Sequence, residues 1–165
     1  MCVRVFAGIL LTLLLFRSSL GPGYPVIHKP YILPYAVTPM IEGDEEVCIG
    51  CRTCEIVCAL SLFNESDPEK SAIRIHTLPE GFEIRVCNQC GECEKVCPEG
   101  AIHREGNVVT IESDKCTGCY ICVEACPIGV LFTHPDYIEP FKCTHCQKCV
   151  ESCPVNALYV LNIEF

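Results

Sequence analysis

The segment from Cys87 to Cys97, CNQCGECEKVC, places four cysteines within eleven residues at the spacing C-x2-C-x2-C-x3-C. Thiolates are the ligands of iron–sulfur clusters, and this spacing lets three of them wrap one face of a cubic 4Fe-4S cluster. In such a loop the fourth cysteine turns away and binds a second cluster. Pro98 then ends the loop, because its ring fixes φ and it has no N–H to donate.

The same spacing occurs four times along the sequence. The motifs contain, in order, Cys48, Cys51, Cys54 and Cys58; Cys87, Cys90, Cys93 and Cys97; Cys116, Cys119, Cys122 and Cys126; and Cys143, Cys146, Cys149 and Cys153. These motifs account for sixteen of the 17 cysteines, and only Cys2 is left over. Four motifs of four thiolates predict four 4Fe-4S clusters.

Two other uses of cysteine compete with this interpretation. Small secreted chains rich in cysteine are often disulfide frameworks, but such frameworks do not repeat one four-cysteine spacing four times. Zinc sites usually combine two separated C-x2-C pairs, often with histidine. Here each run offers three closely spaced thiols and a fourth one helical turn later, so we favour iron–sulfur clusters.

The step from Cys87 to Cys116 resembles the repeat of a bacterial two-cluster ferredoxin, in which two motifs exchange their fourth cysteines. The resemblance implies that motifs two and three form an inner unit and that motifs one and four pair around it. The four predicted ligand sets are set I, Cys87, Cys90, Cys93 and Cys126; set II, Cys116, Cys119, Cys122 and Cys97; set III, Cys48, Cys51, Cys54 and Cys153; and set IV, Cys143, Cys146, Cys149 and Cys58. Sequential pairing of motifs one with two and three with four is the alternative.

The segments between the motifs predict an α+β fold of tandem bacterial-ferredoxin-like units, with short helices and β-hairpins around the clusters. Residues 55–64 predict a helix that continues past motif one, because Ala59 stands where the other motifs have proline. Residues 72–86 alternate at period two and predict a hairpin, and strands are expected before motif three and at the C-terminus. We expect a cluster domain over residues 41–165, with the inner unit at about 85–130 and the outer unit formed by 41–84 and 131–165.

Residues 1–40 differ in composition from the rest of the sequence. An apolar run from Val5 to Phe16 is shorter than a typical bilayer-spanning helix, and a Pro-rich segment follows it. A signal segment, a docking or membrane-surface arm, and an extension upstream of a natural start at Met40 all remain open. We expect a cytoplasmic protein, with membrane association through this segment as the alternative.

The charge distribution excludes some classes of partner. The formal net charge is −9, and all 21 acidic residues lie after residue 41. Such a surface repels nucleic acid and suits docking onto a basic face of a redox partner. His145, inside the fourth loop, has two interpretations: a hydrogen-bonding residue that tunes a cluster, or a solvent-facing loop residue, which we favour.

The segments around motifs one, three and four, EEVCIGCRTCEIVCAL, DKCTGCYICVEACPIGVL and IEPFKCTHCQKCVESCPVNAL, resemble the four-cluster electron-transfer subunits of molybdenum and tungsten oxidoreductases. The nearest types are the dimethyl sulfoxide reductase electron-transfer subunit and, because motif two is compact, the small subunit of multi-subunit aldehyde:ferredoxin oxidoreductase. The resemblance implies a non-catalytic relay with a large metal–pterin catalytic subunit as partner. A flavin, NAD-linked or ferredoxin acceptor would complete the path.

Two alternatives to a bound relay subunit remain open. One is a free soluble polyferredoxin, and the other is a relay subunit that also self-associates and polymerises its enzyme. The sequence contains no G-x-G-x-x-G or P-loop nucleotide motif. We therefore expect no substrate chemistry on this chain itself.

Overall fold

The computed structural model describes residues 37–164. The apolar run, the Pro-rich segment and Cys2 lie outside these residues. Among residues 37–164, no helix is both long and apolar enough to cross a membrane. The elements are β1 (Val37–Gly43), α1 (Thr53–Phe63), β2 (Ile73–Leu78), β3 (Gly81–Val86), α2 (Glu92–Val96), β4 (Ile102–Glu105), β5 (Val108–Ile111), α3 (Ile121–Glu124), α4 (Lys148–Glu151) and β6 (Leu158–Glu164).

The strands of the described region pair into three antiparallel two-stranded sheets, β1 with β6, β2 with β3 and β4 with β5. Each of the four α-helices contains the third cysteine of one motif. The hairpin β2–β3 separates α1 from α2 and the hairpin β4–β5 separates α2 from α3, whereas in the described region α4 follows α3 without an intervening strand element. This is the mixed α+β arrangement that the sequence predicts. Each sheet is too small to be stable alone, so the units depend on what packs against them.

The first and last strands join the two ends of the described region. Val37 lies opposite Glu164 and Gly43 opposite Leu158 in the antiparallel register. The strand β1 therefore begins four residues before the boundary expected at residue 41, inside the segment assigned to the N-terminal extension. The extra residues form a strand because β6 supplies their backbone hydrogen-bond partners.

The predicted hairpin over residues 72–86 is confirmed as β2 and β3. Ile73 and Ile75 are buried while Arg74 between them is half-buried, which is the alternation expected of a strand with one face on the core. The buried carboxylate of Glu55, on α1, accepts a hydrogen bond of 2.7 Å from the Ile75 N–H. This contact fixes the hairpin against the first helix and satisfies a backbone donor that would otherwise be buried unpaired.

The helix predicted after motif one is confirmed as α1, and it ends at Phe63 with Asn64 in the left-handed conformation. Phe63 stacks on Tyr137 with ring centroids 4.5 Å apart and meets Phe141 edge-on at 5.1 Å. The extra helical turn thus carries an aromatic side chain onto the segment that precedes motif four. Both geometries are favourable for aromatic pairs.

Cysteines make up much of the core. In one cluster of buried side chains, Cys54, Cys58, Cys87, Cys143 and Cys149 pack with aliphatic residues that include Ile41, Ile73 and Val130. In a second cluster, Cys93 and Cys122 pack with Ile102, Val109 and Leu131. Every motif therefore contributes at least one buried cysteine to the core, together with a small number of aliphatic side chains.

Candidate iron–sulfur sites

The four cysteine loops share one backbone conformation. In every loop the third and the fifth residue, counted from the first cysteine, have a positive φ between 58° and 83°. The third-position residues are Gly50, Gln89, Gly118 and His145, and the fifth-position residues are Arg52, Gly91, Tyr120 and Gln147. Left-handed residues within a turn build nests of inward-pointing N–H groups, which are a recurring feature of iron–sulfur sites.

Most of these left-handed positions carry a side chain, although glycine would adopt the conformation at less cost. The residues in question are Arg52, Gln89, Tyr120, His145 and Gln147. Each costs about 1–3 kcal/mol, and such strain persists only where the surrounding structure imposes it. Its recurrence at equivalent places indicates that the loop conformation is required by what the loops bind.

Two of the loops direct a backbone N–H onto their own first sulfur. The N–H of Gln89 donates to Sγ of Cys87 at 3.4 Å, and the N–H of His145 donates to Sγ of Cys143 at 3.3 Å. Hydrogen bonds to ligand sulfurs stabilise the thiolate form and are one determinant of cluster potential.

The fourth cysteines also accept backbone hydrogen bonds. Val130 donates to Sγ of Cys126 at 3.4 Å, and Ala157 donates to Sγ of Cys153 at 3.2 Å. In both cases the donor lies four residues after the cysteine, beyond the proline. The turn after Cys-Pro passes through a left-handed residue, Gly129 or Asn156, which brings that N–H back to the sulfur.

Three cavities are each lined by four of the motif cysteines. The first is lined by Cys87, Cys90, Cys93 and Cys126, the second by Cys97, Cys116, Cys119 and Cys122, and the third by Cys48, Cys51, Cys54 and Cys153. In each cavity three thiols come from one loop and the fourth from another motif. The groupings are those of sets I, II and III.

The members of set IV also lie close to one another. Burial raises the pKa of the Cys149 thiol to about 12, and Cys143, Cys58 and Cys146 add to the rise. Burial likewise raises the pKa of Cys58, which the charge of Cys146 raises further. Cys58 on α1 is buried in the same cluster as Cys143 and Cys149 of the fourth loop, and α1 packs against α4.

Buried thiols in these sites are held in their neutral form when no cation is present. Burial raises the pKa of Cys54 and of Cys143 to about 12 and that of Cys93 to about 11. A bound metal reverses this effect, since its positive charge deprotonates a coordinating thiol. Twelve of the motif thiols line three small cavities, and backbone N–H groups donate to several of the motif sulfurs, an arrangement that fits cluster binding.

His145 corrects one expectation from the sequence. The favoured interpretation, a solvent-facing loop residue, is wrong: His145 is only 8% exposed, and burial lowers the pKa of its imidazole. Its Nε2 atom has no hydrogen-bond partner among the described residues. The fourth loop is covered by neighbouring elements at this point, which the local sequence could not reveal.

Residues other than cysteine also contribute to the sites, and the sequence did not single them out. Gln89 is 1% exposed, and its side chain donates from Nε2 to the Cys143 carbonyl at 2.9 Å. Lys142 is buried and donates to Gln89 Oε1 at 2.8 Å. These contacts join motif two to motif four. The only sequence signal was a polar residue at a loop position that holds glycine in motifs one and three.

Comparison with known families agrees with the geometry. Families described as 4Fe-4S dicluster domains match residues 47–102 and 86–130, and one described as a 4Fe-4S binding domain matches residues 136–159. The two dicluster matches overlap at motif two, so they do not decide between nested and sequential pairing. The chain is an iron–sulfur protein that carries tandem 4Fe-4S domains of the ferredoxin type.

Curated relatives are electron-transport proteins and reductase subunits. The chain is 42% identical over 101 residues to the electron transport protein HydN of Escherichia coli K12, covering 55% of this chain and 57% of HydN. It is 35% identical over 115 residues to the B subunit of anaerobic dimethyl sulfoxide reductase from the same strain, covering 58% and 53%. It thus spans little more than half the length of these relatives.

Among solved structures, the chain is similar to a subunit of the active site complex BamBC of benzoyl coenzyme A reductase in complex with 1,5-dienoyl-CoA. The two are 26% identical, the match covers 78% of each protein, and the TM-score is 0.48.

Proposed function

We propose that sets I to IV are the ligands of four 4Fe-4S clusters and that the chain is a non-catalytic electron-transfer subunit. The observation that carries this proposal is the composition of the cavities, in which three thiols of one motif meet the fourth thiol of another. Such an exchange is the ligand arrangement of two-cluster ferredoxins. When bound, a 4Fe-4S cluster accepts and donates one electron at a time.

The cysteine sets are arranged in series. Sets I and II share a layer of buried side chains, in which Cys93 and Cys122 pack together with Cys97 and Cys126 nearby. Sets III and IV share another, which contains Cys54 and Cys149. The two layers meet at Cys87 of set I, which is buried in the same cluster as Cys143 of set IV.

This arrangement supports the order II, I, IV and III for electron transfer. Sets II and III are then the terminal sites. The second cysteine of each motif is exposed. At the two terminal sites, sets II and III, these exposed residues are Cys119 and Cys51. Electrons would enter at one end and leave at the other, because transfer between neighbouring sites requires short steps.

We further propose a large metal–pterin oxidoreductase subunit, of the tungsten or molybdenum aldehyde type, as the catalytic partner, with a ferredoxin or a flavin/NAD-linked protein as acceptor. A bound role is supported by the relative that is a subunit of dimethyl sulfoxide reductase. A free carrier is the second candidate, supported by the relative named electron transport protein HydN. A relay that also polymerises its enzyme would extend the bound role.

The first experiment is an analysis of the full chain purified without oxygen. We expect about sixteen irons and about sixteen sulfides per chain, and one-electron signals in electron paramagnetic resonance (EPR) spectra after reduction with dithionite. One or two zinc ions without inorganic sulfide would overturn the cluster assignment. The isolated chain should oxidise no aldehyde, and steady turnover by it alone would overturn the non-catalytic role.

The second experiment separates the bound subunit from the free carrier. The tagged chain is expressed in its native host, and the material retained on the tag is resolved by gel filtration without oxygen. Co-elution with a larger protein that contains tungsten or molybdenum supports the bound role. Elution at the size of the chain alone supports the free carrier, and a heterogeneous high-mass assembly supports polymerisation.

A further inference from the structure

Lys142, the residue directly before motif four, has a buried side chain that is 4% exposed. Its Nζ atom donates to the Gln89 Oε1 atom at 2.8 Å and to the Cys143 carbonyl at 3.2 Å. The ion pairs formed within residues 37–164 do not include Lys142. Burying an ammonium group without an anion costs several kcal/mol, so this position implies a negative charge nearby.

Gln89 holds the ammonium in place. Its Oε1 accepts from both Lys142 and the Val109 N–H, the latter at 3.1 Å, while its Nε2 donates to the Cys143 carbonyl at 2.9 Å. The backbone N–H of Gln89 is the donor to Cys87. One buried amide therefore connects the loop of motif two, strand β5 and the start of motif four, and it fixes where the lysine head lies.

The side chain of Lys142 lines the cavity of set I, although the residue belongs to the motif-four segment. Gln89, which accepts the hydrogen bond from Lys142 Nζ, belongs to the loop of motif two and lines the same cavity. The ammonium therefore lies at the wall of the set I cavity.

Lys115 shows that a lysine before a motif need not behave in this way. It directly precedes Cys116, just as Lys142 precedes Cys143. Its side chain is 55% exposed and forms an ion pair of 2.7 Å with Glu112. The two lysines share a position in the sequence motif, but only Lys142 is carried into the interior.

We propose that Lys142 is a fixed counter-charge for the cluster held by set I and makes that cluster easier to reduce. This inference rests on the proposed function. Reduction of a cluster adds one negative charge, and a buried ammonium at the cavity wall favours that charge because the surroundings screen it weakly. Gln89 is the positioning residue for the ammonium. One of the two central sites of the series is thereby biased toward holding an electron.

The test is an EPR-monitored redox titration of the full chain and of Lys142→Met, which keeps an apolar stem but removes the charge. We expect one of the four reduction steps to move to a more negative potential, with at most a smaller movement in a second. Lys142→Arg, which keeps the charge, should leave the step near its original potential. Lys115→Met is the matched control and should move none.

Iron and sulfide counts keep this test separate from the proposed function. A chain without clusters would overturn the proposed function, whereas a fully loaded Lys142→Met whose steps stay in place would overturn only the role of Lys142. Equal movement of all four steps would also overturn it. If Lys142→Met fails to assemble, Lys142→Gln replaces it. If both neutral variants fail to assemble clusters while Lys142→Arg assembles them, the need for a positive charge at this position is supported. If Lys142→Arg also fails to assemble clusters, the proposed role of the Lys142 charge is overturned.

Discussion

The backbone N–H of Ala72 donates a hydrogen bond of 3.3 Å to Sγ of Cys58, fourteen residues earlier in the sequence. The last cysteines of motifs three and four instead accept a hydrogen bond from the N–H of the residue four positions later in the sequence. Cys58 cannot, because it lies inside α1, where that N–H closes the helical hydrogen bond to the Cys58 carbonyl. Ala72, the residue directly before strand β2, supplies the donor instead, so the Cys58 sulfur also accepts a backbone hydrogen bond, but from a different segment.

Ala59→Pro, which would make motif one match the others, should therefore be destabilising. A proline inside α1 removes a helical hydrogen bond and clashes with the preceding turn, at a cost of about 3 kcal/mol. It would also displace Phe63 from Tyr137. We expect a lower midpoint of guanidinium unfolding without oxygen, measured by circular dichroism. Pro154→Ala is the control and should change the midpoint little; equal effects of the two would contradict the explanation.

Cys153→Ser should damage a cluster that is distant in sequence. The nested ligand sets predict loss of the cluster held by Cys48, Cys51 and Cys54, so that about twelve of about sixteen irons remain. The inner unit should keep its EPR signals. Sequential pairing predicts instead that Cys153→Ser loses the cluster of motif three. EPR spectra of Cys126→Ser provide the second comparison, because nested pairing predicts loss of the motif-two cluster in that variant and sequential pairing predicts loss of the motif-four cluster.

Gly50→Ala should lower stability more than Gly100→Ala. Both glycines have positive φ, 65° and 60°, so alanine costs about 1–2 kcal/mol at either position. A Cβ at position 50 would also overlap the ring of Phe82, whereas a Cβ at position 100 would meet nothing within 4 Å. Overpacking adds about 1–3 kcal/mol. The rate of cluster bleaching in guanidinium measures the difference, and equal rates would refute the close approach of the hairpin to the first loop.

Removal of the clusters should unfold the protein. The buried cysteines lie within both layers of the core, so a stripped protein keeps too few aliphatic contacts and must bury neutral thiols around empty volumes. Treatment with a strong iron chelator under reducing conditions should abolish the circular dichroism of the strands and helices together with the visible absorbance. Retention of the folded spectrum after complete iron loss would show that the protein core is sufficient by itself.

The sequence predicted what depends on local ligand chemistry. The spacing of the cysteines places three thiols in each loop because the loop is short, and Ala59 predicted the longer helix because it lacks the proline ring. The hairpin of β2 and β3 followed from alternation within a single segment. In each case the cause and the structure lie within a few neighbouring residues.

The sequence could not predict what depends on distant partners. The strand β1 contains Pro39, a poor residue for a central strand, and its pairing partner β6 lies more than a hundred residues away. Lys115 and Lys142 occupy equivalent motif positions, and only the packing of motif four against Gln89 buries the second. His145 was assigned to solvent for the same reason, because nothing in its own loop shows what covers it.

The pairing of β1 with β6 has a consequence for how the protein is made. The eight thiols proposed for sets I and II lie between residues 87 and 126, so the proposed inner unit has all its ligands once about residue 130 has emerged from the ribosome. The outer sites are incomplete until Cys153 and the last strand follow, after which the ends of the described region can meet. We therefore expect maturation in two stages, with a nascent chain that carries the inner clusters first and exposes the thiols of motif one, open to oxidation, until Cys153 and β6 have emerged.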